Sequence, residues 1–119
     1  MAAIKDTDPL DLWDALEEDR RLMKAAVSEA SERGKDYAAK KAAYYAAKSS
    51  AALGMKADGY PVTLIDMAVK GVPEVASAML EMQCAEAVWR AAMKAVDVYR
   101  DDTRIVYDQI RRAQTGDNF

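Results

Sequence analysis

Four groups of residues have the types and spacing to do chemistry. The first is acidic: Asp6, Asp8, Asp11, Asp14, Glu17, Glu18 and Asp19 crowd the beginning of the chain. Such a run could hold a divalent cation or imitate a nucleic-acid backbone. A helix N-terminus favours acids in any case, so a solvated first turn explains the same residues. The second is basic: Arg100, Arg104 and Arg111 lie near one helical face with Tyr107 beside them, a pattern that could follow a phosphate backbone. Pairing with the acidic beginning is the competing explanation. The third is aromatic: Tyr37, Tyr44 and Tyr45 could stack on bases or pack in a core. The fourth is the one cysteine, Cys84. It could be a nucleophile or a redox sensor, but the chain has no histidine to activate it, and a small buried apolar side chain is the expected role.

The lack of histidine also removes Ser-His-Asp triads, HExxH zinc sites and the Glu-x-x-His pattern of di-iron bundles. Glycine-rich phosphate loops, CxxC and GxSxG are missing from the sequence as well. The reading is therefore non-enzymatic, with no cofactor. A net charge of −3 and a pI near 5.0 weigh against general nucleic-acid binding. A single cysteine cannot form an internal disulfide, which suits a reducing compartment. Met1 to Asp6 contains no apolar signal-like stretch, and no apolar run reaches membrane length. The expectation is a cytoplasmic protein that does not engage a membrane.

The elements that would position these groups are helices. The chain has 119 residues, 51% of them hydrophobic and many of those alanine, the strongest helix former. In the second half Val75, Met82, Trp89, Val96, Thr103 and Ile110 repeat every seven places, and Ala78, Ala85, Ala92, Tyr99, Val106 and Ala113 follow three places behind. Two such rows make one stripe along a helix. The first half answers with Leu16, Met23, Ala30, Tyr37, Tyr44 and Ala51, broadened by Leu12, Ala26 and Ala47.

Helix boundaries follow from capping chemistry. Asp8 is the expected N-cap and Pro9 the first helical residue. Gly59 is the expected left-handed residue after the helix, with Gly54 as a rival stop. Gly34 costs about 1 kcal/mol against alanine inside a helix, but the seven-residue phase is the same on both sides, which favours a continuous helix. Between the long stripes, Thr63 to Asp66 reads as a capping box, with Val62 and Met67 placed as a hydrophobic staple. Gly71 ends this short helix and Pro73 opens the last one.

The prediction is an all-α domain over residues 1–119. An antiparallel hairpin of two long helices, about 9–57 and 73–114, has a coiled-coil-like, Ala-rich seam. A short capped helix at about 64–70 forms the turn, and the ends fray. Alanines 78, 85 and 92 would face alanines 43, 46, 47 and 51. Charge gives the same orientation, with the acidic beginning meeting the basic end and Lys40, Lys41 and Lys48 opposite Glu74, Glu81 and Glu86. One seam cannot cover Trp13, Trp89 and so many tyrosines, so a homodimer forming a helical bundle is expected. At the turn, Tyr60, Ile65 and Met67 are the candidate partner-binding residues, with Met67 leaning into the corner and Ile65 outward.

The segments Gly59 to Gly71, Ala85 to Val96 and Gln109 to Arg112 resemble small helical proteins encoded by phages and prophages of Gram-positive bacteria. The likeness covers about half the chain and carries no catalytic signature. It implies a cytoplasmic phage protein working beside replication or recombination proteins. The function expected is binding of a protein partner. Accessory single-stranded-DNA binding through Arg100, Arg104, Tyr107 and Arg111 is the alternative, and inhibition of a host defence by protein binding is a further one.

Overall fold

In the computed structural model, residues 9–115 are described, with side chains from residue 11 onward. Every regular element among them is helical. Helix α1 spans Pro9–Ala57, α2 spans Val62–Ala68 and runs into a single 3-10 turn at Val69–Gly71, and α3 spans Pro73–Thr115. The two long helices pair as an antiparallel hairpin. The expected N-cap Asp8 and the tail from Gly116 lie outside the described residues.

The heptad stripes land on the seam. On α3, Val75, Ala85, Val106 and Ile110 are buried, and Ala78, Met82, Trp89, Ala92, Val96, Tyr99 and Thr103 are half-buried. Ala113 alone of the two rows is exposed. On α1, Leu12, Leu16 and Tyr44 are buried, and Met23, Ala26, Ala30, Tyr37, Ala47 and Ala51 are half-buried.

Contacts cluster into two compact units. The first joins the residues up to Ala30 with those from Ala91 onward; the second is Ser31–Arg90. In the first, Leu12 and Leu16 of α1 close on Val106 and Ile110 of α3, with Ala15 alongside. Each such side chain contributes about 1.5–3 kcal/mol by leaving water.

In the second unit the core forms beneath the turn, where Tyr44, Val69 and Val75 are buried among Ala47, Ala51, Ala78, Met79 and Met82. Of the expected alanine seam, Ala47, Ala51 and Ala78 gather in this cluster, whereas Ala43 and Ala46 are exposed. Large side chains join the small ones: Tyr44 is buried in that cluster, and the Trp89 indole lies over Gly34, where an added Cβ would come within 3.0 Å of Nε1. Trp89 also stacks on Tyr37 at 5.4 Å between ring centres. This close approach gives Gly34 its place in an unbroken helix.

The turn is fixed by backbone bonds. Gly59 takes φ 85°, its N–H donates to the Lys56 carbonyl, and the Tyr60 N–H donates to the Met55 carbonyl at 3.0 Å. These two bonds are the Schellman arrangement that closes α1. Gly54, the rival stop, lies inside the helix. α2 begins at Val62, earlier than the expected Thr63 cap. Pro61 occupies the N-cap position with φ −59° and ψ 136°, and no side chain caps the helix. Pro61 presents its carbonyl to the Leu64 N–H at 3.0 Å, and the early residues of α2 are solvent-exposed, so their amides can be satisfied by water. Thr63 is therefore a residue within α2 rather than its cap, and the capping box does not form.

Candidate interaction surface at the turn

One side of α2 is inward. Ile65 is 8% exposed and Val69 1%, which anchors the corner to the second unit. The turn also leaves large apolar side chains in solvent: Tyr60 is 48% exposed, Val62 74%, Leu64 53% and Met67 77%. The expectation for the two central residues is thus reversed, with Ile65 buried and Met67 outward. The reason is helix geometry: residues 65 and 67 are about 200° apart, so burying Ile65, which shares its face with Val69 four places on, turns Met67 to solvent. The staple between Val62 and Met67 is not made, since both lie in solvent. Tyr60 and Met67 remain surface residues, whereas Ile65 can act only by holding the corner.

Three of the arginines expected to meet the acidic beginning pair within α3. Arg100 pairs with Asp97 at 3.3 Å, Arg104 with Asp101 at 3.0 Å and Arg111 with Asp108 at 3.8 Å, each within α3 itself. An aspartate three residues before an arginine lies on the same helix face, within reach of its guanidinium. Tyr107 is exposed beside them. Over residues 97–112, Asp97, Asp101, Asp102 and Asp108 balance Arg100, Arg104, Arg111 and Arg112, so this stretch has no basic excess.

In the second unit the expected cross-hairpin charges do meet. Lys40 is 3.8 Å from Glu81. Glu86 is held below its ordinary carboxylate value first by its hydrogen bond with Arg90, with Tyr37 and Lys41 adding to it. Lys48 lies instead over the Tyr44 ring at 6.0 Å.

Cys84 is exposed, contrary to its expected burial. It stands one place before the buried Ala85 of the seam row, so its side chain faces the flank of α3. A shallow open groove runs past it between Arg33, Asp36, Lys40, Glu81 and Val88. Because Lys40 is paired with Glu81, no free cation is aimed at the thiol by that pair. Among the described residues, no cluster of three or more Asp, Glu or Cys side chains is arranged to hold a metal ion. No helix among them is both long and apolar enough to cross a membrane.

Charge alone places Asp19 with the solvated acids, and the structure does not. Asp19 is 5% exposed, and its Oδ2 atom is buried without a hydrogen-bond partner. The signal lies in the sequence: Leu12, Asp19 and Ala26 are spaced by seven and form one row of the seam.

The chain matches no known protein family, no curated protein and no solved structure.

Proposed function

We propose that this chain is a non-enzymatic helical interaction protein that binds a protein partner through the outward side of its turn. One observation carries the reading: within eight residues, Tyr60, Val62, Leu64 and Met67 hold large apolar side chains in water, on a corner fixed by Gly59 and by buried Ile65 and Val69. Apolar surface in water is a cost without a partner, and a rigid frame lowers the ordering cost of binding one. The exposed rings of Trp13, Tyr45 and Tyr107 support a homodimer as the working form. The likeness of the second half to phage-encoded helical proteins directs the search for the partner to phage and host replication, recombination and defence proteins in the bacterial cytoplasm.

The test replaces Leu64 and Met67 together by serine. The circular dichroism spectrum and melting temperature should stay as they are, while partner proteins that co-purify with the wild-type chain are lost. Retention of the same partners by the double variant would remove the turn as the binding surface. Accessory single-stranded-DNA binding is disfavoured because Arg100, Arg104 and Arg111 already engage aspartates. It would declare itself by an affinity that falls steeply as salt rises.

A further inference from the structure

Asp19 occupies a position that the seam reserves for apolar side chains. Its row continues through Leu12 and Ala26, and its neighbours Leu16 and Met23 turn the same way. The antiparallel register that sets Leu12 and Leu16 against Val106 and Ile110 brings Asp102 and Thr103 of α3 to its level. Thr103 could donate to it but does not: its hydroxyl donates to the Tyr99 carbonyl of its own helix at 2.8 Å. The charges acting on Asp19 are Asp102 from α3 and Glu18 from α1, both acidic, and the phenol of Tyr99 is half-buried in the same part of the seam. The cations of this part of the chain are engaged elsewhere or exposed. Arg21 forks onto Glu18 at 2.6 and 3.1 Å, Arg100 holds Asp97 and Arg104 holds Asp101, while Arg20 and Lys24 are exposed on α1.

An ionised carboxylate in such a place has lost water, gained no donor at Oδ2 and faces a second carboxylate. Adding one proton removes the charge and turns the group into a donor. We propose that Asp19 is a proton-operated latch in the first unit, whose two helical arms close most tightly when Asp19 is neutral and open more readily once it is ionised.

Burial, then Asp102, then Glu18 push the Asp19 carboxyl above its ordinary 3.8. The sign follows from linkage. In the unfolded chain Asp19 ionises near the ordinary value, and in the folded chain at higher pH. Below the unfolded value it is neutral in both states and the first unit has its full stability; that stability falls as pH rises through the folded value and then levels off. Lowering the pH from neutral therefore tightens the unit. Glu18 acts in the opposite direction: its hydrogen bond with Arg21 depresses it below 4.5, so its contribution holds above that value and is lost as pH falls through the depressed one. The Asp19 effect is accordingly read from neutral pH down to 4.5, above the range in which the Glu18 contribution is lost.

The experiment is amide hydrogen exchange on the full chain between pH 7.5 and 4.5, corrected for the intrinsic rate, with residues 31–90 as the internal reference. In the wild type, protection of amides in 11–30 and 91–115 should rise as pH falls, because a carboxyl that binds its proton more tightly when folded moves the closing equilibrium in that direction. Asp19→Asn should have the higher protection already at pH 7.5 and little pH dependence. Asp102→Asn should move protection the same way by less. Should a buried asparagine fold poorly, Asp19→Leu restores the apolar row and should be the most protected variant at every pH. The proposal is overturned if wild-type protection is flat, or if Asn and Leu at position 19 both lower protection at pH 7.5. A carboxyl carbon resonance of Asp19 titrating at or below 3.8 in the folded chain would overturn it as well.

Discussion

The two units draw their seams from the same heptad rows and fill them differently. The first closes on four aliphatic side chains, Leu12, Leu16, Val106 and Ile110, and then admits a carboxylate, Asp19. The second closes by size matching: the Trp89 indole over Gly34, and Tyr44 buried in a cluster of methionines and alanines under the turn. A heptad states which positions face inward. It does not state what each will meet, and the two units show how much energetic character that leaves open.

Leu16→Ala should have the largest effect that bears on this contrast. Leu16 is 1% exposed and truncation of a buried leucine costs about 2–5 kcal/mol. Hydrogen exchange should quicken first in 11–30 and 91–115. Equal quickening across 31–90 would mean that the two seams open as one, and the contrast would have no energetic content.

A smaller effect is expected at Gly34. Alanine there gains about 1 kcal/mol of helix propensity but places a Cβ 3.0 Å from Trp89 Nε1, and overpacking costs about 1–3 kcal/mol. The net expectation is a loss of about 1 kcal/mol. A changed Trp fluorescence spectrum should accompany it, as the indole shifts from its stack on Tyr37. A gain in stability would show that Trp89 yields freely and that size matching does not hold the second unit.

Much of the architecture is legible in the sequence. The seven-residue rows mark the seam because burial repeats with the helix, and Gly59 marks the end of α1 because its left-handed backbone suits glycine. Three features are less visible, each for a physical reason. The capping box of Thr63 to Asp66 does not form because Pro61 starts α2 through its carbonyl alone. With Ile65 buried beside Val69, Met67, about 200° away around α2, is left in solvent. Arg100, Arg104 and Arg111 each pair with the aspartate three residues before it on α3, a local partner that the opposed charges of the two chain ends do not reveal. Asp19 shares its charge with its acidic neighbours, whereas its spacing from Leu12 and Ala26 places it in the seam.

The central claim is that the turn has an inward side that holds it and an outward side left for a partner. Thermal melting of Ile65→Asp and Met67→Asp, measured side by side, tests it most directly. A carboxylate at the buried position 65 should cost several kcal/mol and lower the melting temperature strongly, whereas at position 67, where the native side chain is 77% exposed, it should leave the melt within about 0.5 kcal/mol of wild type. Comparable, large destabilisation at both positions would contradict that claim and make the whole turn a structural cap.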